Sequence, residues 1–161
     1  MKSRFLAAFK GFLKRYIPLW IILGIVGAFC LVDFVNYAGY EIAFVSATSE
    51  DSPDGDPSKL YYPTYDHSVM IDVTMRVTHY GSPVQGHTIV GLGEKGGDTV
   101  TPRDVTDEDG NVTFTFAPVT LFKNPESTEV SLFFYEESSA FVIEFRVERT
   151  IDLTLYRRPV A

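Results

Sequence analysis

His67, His79 and His87 are the residues in this chain best suited to acid–base or metal chemistry. His79 and His87 flank a turn running from Gly81 to Gly86, so a hairpin there would bring them together as a metal pair requires. No His-Glu-x-x-His run accompanies them, and the one cysteine, Cys30, lies far away in an apolar stretch. They therefore read as edge or surface histidines. Asp104, Asp107, Glu108 and Asp109 crowd a second stretch before Asn111. A calcium loop would need glycine after Asn111, where Val112 stands, so a solvated hairpin is the reading there. Asp51, Asp54 and Asp56 have the hard oxygens a cation favours, but Pro53, Gly55 and Pro57 between them describe a polar loop. The glycines from Gly91 to Gly97 lack the Lys-Ser/Thr of a phosphate loop and read as a turn. The serines sit in no glycine elbow. Asn111-Val112-Thr113 fits the glycosylation pattern. The expectation is a non-enzymatic chain with no catalytic, metal or cofactor-binding residue.

Three other residues speak of membrane contacts. Gly24 and Ala28 form a small-xxx-small pair on one helical face, which lets helices approach closely. Asp33 is an ionisable group at the outer part of the same apolar run. Such a group faces either a partner inside the membrane or the headgroup interface, and the residues leave both open.

That run, residues 17–40, divides the chain. From Ile17 to Val32 no charge interrupts it, about 24 Å of helix. Continued to Tyr40 it reaches about 36 Å, enough to cross a hydrocarbon core with tilt. Pro18 suits a first helical turn, and Tyr16, Trp20, Tyr37 and Tyr40 suit the two interfacial belts. The run is too long for a cleaved signal peptide, so it reads as a signal-anchor. Residues 1–16 are basic, with Phe5, Leu6, Phe9, Phe12 and Leu13 spaced to share a helical face. They form either an interfacial helix or a topology-setting flank. Residues 41–58 read as a linker and 59–161 as one domain.

Charge follows the same division. Lys2, Arg4, Lys10, Lys14 and Arg15 give +5, whereas nine Lys/Arg against twenty-one Asp/Glu leave −12 beyond them. By the positive-inside rule the N-terminus is cytoplasmic and the domain extracytoplasmic, in a cell membrane crossed once. An acidic domain argues against nucleic-acid binding, which rests on neutralising phosphates.

Beyond the linker the periodicity is that of strands. Val69, Ile71, Val73, Met75 and Val77 alternate with Asp72, Thr74 and Arg76. A strand over about Val84–Leu92 follows, then a weaker one over Val100–Val105 with Pro102 marking an edge. Val112, Phe114 and Phe116 alternate after Asp109-Gly110, as do Val130, Leu132 and Phe134 later. Phe141, Ile143, Phe145 and Val147 follow a Ser138-Ser139 hairpin, and Ile151, Leu153 and Leu155 close the pattern. About seven short strands without helical period predict an all-β sandwich behind one transmembrane helix.

Val77, Gly81, Pro83, Val84, Gly86 and Ile89, then Thr106, Asp107, Asp109, Gly110 and Val112, resemble the bacterial immunoglobulin-like domain of invasin and intimin type. That family repeats a G-x-P-V-x-G entry into one strand and a T-D-x-x-G entry into a later one. The resemblance implies an Ig-like sandwich and a surface location. The chain departs from those adhesins in having one domain on a helix, so adhesion does not come with the fold. The expected role is a structural or accessory subunit of a membrane or envelope assembly. The expected partners are the bilayer and a membrane protein or a second copy, and the alternative is an adhesin or ligand-binding module.

Overall fold

The computed structural model describes residues 2–121, 123, 125–137 and 146–159, apart from the side chains of 2–9, 12, 13 and 15. These residues form two compact units, a helical one and a β unit that begins at Gly39.

The helical unit is α1, Lys2–Tyr37, a single helix of 36 residues. The basic segment and the apolar run are thus one element. Ala, Leu, Lys and Phe hold helix well enough to carry it through Pro18, which lies in its interior instead of its first turn. Pro18 has no N–H for the Lys14 carbonyl, so one rung is missing there. Within α1, Tyr16–Tyr37 is long and apolar enough to cross a membrane. The run ends three residues earlier than its composition implied, because Gly39 turns the chain with φ +86° and Tyr40 already belongs to a strand. The side chains of Phe5, Leu6, Phe9, Phe12 and Leu13 lie outside the described residues.

Among the described residues nine strands make the β unit: β1 (Tyr40–Thr48), β2 (Ile71–His79), β3 (Ser82–Pro83), β4 (Thr88–Lys95), β5 (Gly97–Thr99), β6 (Arg103–Val105), β7 (Asn111–Pro118), β8 (Ser127–Glu136) and β9 (Glu148–Tyr156). One antiparallel sheet runs β1-β2-β7-β5, with β3 added to β2; the other runs β6-β4-β8-β9. The linker expected over residues 41–58 therefore holds a nine-residue strand. Ile42, Phe44 and Val45 supply its β preference, and only the residues after Thr48 form the polar loop.

Period-two alternation builds the core. Ile71, Val73, Met75 and Val77 of β2 are each 0% exposed, beside Phe114 and Phe116 of β7 in the same sheet and in one core with Leu132 and Phe134 of β8 in the other. Burying each such side chain contributes roughly 1.5–3 kcal/mol. On the outer face the polar residues of β2 meet those of β7: Thr74 pairs with Thr113 at 2.9 Å, and Thr115 donates to Asp72 at 2.8 Å.

The glycines at 91–97 form less of a turn than expected. Gly91 and Gly93 lie inside β4, and only Gly96 turns the chain into β5. A Cβ on Gly91 would lie 2.9 Å from the Phe134 ring and 3.1 Å from that of Phe114, so the missing side chain makes room for the aromatic pair. Pro102 marks an edge as expected, for β6 ends its sheet. The alternation at Phe141, Ile143 and Phe145 and the Ser138-Ser139 hairpin lie outside the described residues.

Candidate functional site

The sequence motifs shared with the Ig-like family turn out to be one knot of hydrogen bonds. Tyr80 and Gly81 both have positive φ, 48° and 81°, the pattern of a two-residue I′ hairpin between β2 and β3. Downstream, the Thr106 hydroxyl donates to the Val84 carbonyl at 2.6 Å and accepts the His87 N–H at 3.0 Å. Gly86 donates to the Thr106 carbonyl at 2.9 Å. One Asp107 oxygen accepts the N–H of Asp109 at 2.9 Å and of Asn111 at 2.8 Å. Gly110, at φ +73°, passes its carbonyl to the Val77 N–H at 2.8 Å. These residues hold the chain where β2, β4 and β7 meet, so their chemistry is used on the backbone.

That knot places His87 at the start of β4, where a polar and aromatic cluster assembles. His87 Nδ1 meets Oε1 of Glu136, the last residue of β8. His87 Nε2 lies 3.4 Å from the Tyr40 hydroxyl at the start of β1. The Tyr40 ring stacks on His79 at 4.4 Å between centroids, and His79 lies 4.6 Å from Tyr80. His79 and His87 thus converge on Tyr40, one from each sheet. Glu136 is 3% exposed, and among the described residues its Oε2 has no hydrogen-bond partner. Neither Tyr40 nor Glu136 was visible as a site residue. Tyr40 closed the apolar run, and Glu136 followed Phe134 and Tyr135 as one more strand residue.

The remaining acidic residues serve locally. Asp54 accepts Lys59 Nζ, the Ser52 hydroxyl and the Tyr61 hydroxyl, each at 2.8 Å. Those donors, Lys59 first, hold its carboxyl well below the usual carboxylate range, and the Asp54 carboxylate pushes the Lys59 ammonium up in turn. The Ser58 hydroxyl and N–H lower Asp56 in the same way. Asp104 caps its own strand at Val105, and Glu108 and Asp109 are exposed. His67 closes a short bridge with Thr64. The Asn111 amide oxygen accepts Arg76 Nε at 2.9 Å, so the glycosylation motif sits in the ladder between β2 and β7. Among the described residues no group of three or more His, Cys, Asp or Glu is arranged to hold a metal.

In α1, Gly24 and Ala28 are exposed, and a Cβ on Gly24 would meet nothing within 4 Å. Asp33 is 1% exposed and is the sole buried residue among the described side chains of the helix. It is not without a polar or electrostatic partner.

The two sheets define the class. β1, β2, β7 and β5 stand as strands A, B, E and D of an immunoglobulin-like sandwich, and β4, β8 and β9 as C, F and G, with β6 beside β4. The chain is an all-β Ig-like sandwich with one N-terminal apolar helix. Among solved structures it is similar to the D0-D1 domain of Intimin, with 11% identity and a TM-score of 0.43, over 72% of this chain and 49% of that one. It spans about half the length of that structure. No family model and no curated protein matches the chain.

Proposed function

We propose that the chain is a non-enzymatic single-pass membrane protein. In this reading it displays its Ig-like domain on the extracytoplasmic side as a structural or accessory subunit of a larger membrane or envelope assembly. One observation carries this. Ile17, Leu19, Trp20, Ile21, Ile22 and Leu23 are each 45–57% exposed, so the helix is apolar all round with no core to bury it. Such a helix is covered by lipid or by other helices. The five basic residues ahead of it favour a cytoplasmic N-terminus. Gly24 and Ala28, exposed together on one helical face, are the proposed contact with a partner helix; Asp33 lies buried on the opposite face from Gly24.

Extraction in mild detergent followed by identification of co-eluting proteins tests the role. The expected result is a stoichiometric membrane complex whose yield falls on Gly24→Leu. A lone monomer that binds a surface ligand would replace this reading with that of an adhesin. Protection of the domain from protease added to intact cells would overturn the topology.

A further inference from the structure

One flank of the sandwich is open. β1 ends one sheet and β9 ends the other, and in neither sheet does a further described strand follow. β1 therefore presents an outer row of backbone N–H and C=O groups, whereas the outer edge of β9 is already paired at Tyr156, whose N–H and carbonyl meet Leu60 and Tyr62. Phe44 of β1 lies opposite Met75, which is 0% exposed, so it belongs to the inward side of its sheet; it is nonetheless 42% exposed. Across from it, Ile151 and Leu153 of β9 each keep 8% exposure, whereas Leu155 keeps none. Phe44, Ile151 and Leu153 line one groove of about 360 Å³, together with Arg149, Thr150 and Asp152. Phe44 is thus left half-covered along the one side where β1 and β9 end their sheets.

The edge of β1 is lightly guarded. Folded proteins protect an open edge with Lys, Pro, a bulge or a very short strand. β1 has nine residues and neither Lys nor Pro, and its one device is the bulge between Phe44 and Ser46, where Val45 stands 45% exposed. Its ends are acidic, with Glu41 near one and Glu50 and Asp51 just past the other, while Arg149 and Asp152 in the groove offset one another. From Gly39 onward the chain holds nine Lys/Arg against twenty Asp/Glu, a net of −11. A second copy would bring that same charge to the same edge, whereas a basic strand would be drawn to it.

We infer that the groove between β1 and β9 takes an extended, basic polypeptide strand from another protein. That strand hydrogen-bonds along β1 and sets every second, apolar side chain over Phe44, Ile151 and Leu153. The inference rests on the reading of the chain as an assembly subunit and names the chemistry of the partner.

The test titrates the full chain, in detergent micelles, with a labelled peptide of alternating valine and threonine flanked by paired lysines. Saturable binding is expected, weakening with salt and lost when alternate peptide amides are N-methylated. Phe44→Lys should weaken it roughly tenfold or more. Leu92→Lys, on the outer face of the other sheet, should leave it unchanged. Failure to bind, or binding that survives N-methylation or Phe44→Lys, overturns the inference. So does a concentration-dependent dimer that Phe44→Lys abolishes, because the occupant is then a second copy. A membrane complex that still co-elutes with Phe44→Lys while the peptide fails leaves the subunit role standing and removes the groove. Peptide binding as expected, without any complex, does the reverse.

Discussion

The His87 imidazole reaches the Glu136 carboxylate through Nδ1 and Oε1, joining the entry of β4 to the end of β8 inside one sheet. Its other nitrogen lies toward the Tyr40 hydroxyl in the opposite sheet. The imidazole is therefore the link through which a buried carboxylate and the first strand share one polar path between the sheets.

His87→Ala should destabilise the full chain by roughly 1–3 kcal/mol, because it leaves the Glu136 carboxylate buried without a partner. The 31% exposure of the His87 side chain keeps the loss below that of a fully buried pair. Glu136→Leu should cost less, since the imidazole it orphans can still reach water. Urea unfolding of both variants and the double variant reads the coupling. Equal single losses that simply add would show that the two groups act independently.

Gly110→Ala should destabilise by about 1–3 kcal/mol. The position needs φ +73°, and an added Cβ would stand 2.5 Å from the Val77 carbonyl oxygen. Gly55→Ala is the control: its φ is similar, +74°, but a Cβ there meets nothing within 4 Å. Its loss should be the smaller in thermal unfolding, and a reversed order would contradict the knot around Gly110.

Acid should loosen the loop at Ser52–Tyr61 before the sandwich. The Asp54 carboxyl in the folded chain titrates below its ordinary value of 3.8, so the stability it contributes is present above that value and is lost as pH falls through the folded one. Amide exchange of this loop should rise as pH drops below 3.8 relative to that of β2, once corrected for intrinsic rates. Asp54→Asn should remove the acid step, leaving the loop loosened throughout. A wild-type loop as protected in acid as at neutral pH would show that Lys59, Ser52 and Tyr61 do not hold it through Asp54.

Strands with one wet face were legible in the residues, and strands at the margins were not. Val69 to Val77 alternates cleanly because β2 packs its odd residues on the core and shows its even ones to water. β1 escaped because the apolar residues of α1 run on to Tyr40, Ile42, Phe44 and Val45 with only single polar residues such as Asn36 and Glu41 between, and composition cannot place a boundary that Gly39 makes by conformation. Gly91 and Gly93 read as a turn because glycine speaks for bends, whereas here Gly91 yields space to Phe114 and Phe134. The histidines were visible as a pair, but the residue that joins them is Tyr40. Glu136 could be recognised as special only once β8 set it beside β4, opposite Ile89.

Only Ala38 and Gly39 separate α1 from β1. The first strand of the domain therefore follows the helix within two residues. Eight paired positions join β1 to β2, from Tyr40 opposite His79 to Thr48 opposite Asp72. A load drawn along the strand bears on those rungs in shear, so that they resist together instead of peeling one by one. The bulge after Phe44 divides the ladder into two runs. Mechanical failure would begin at that division.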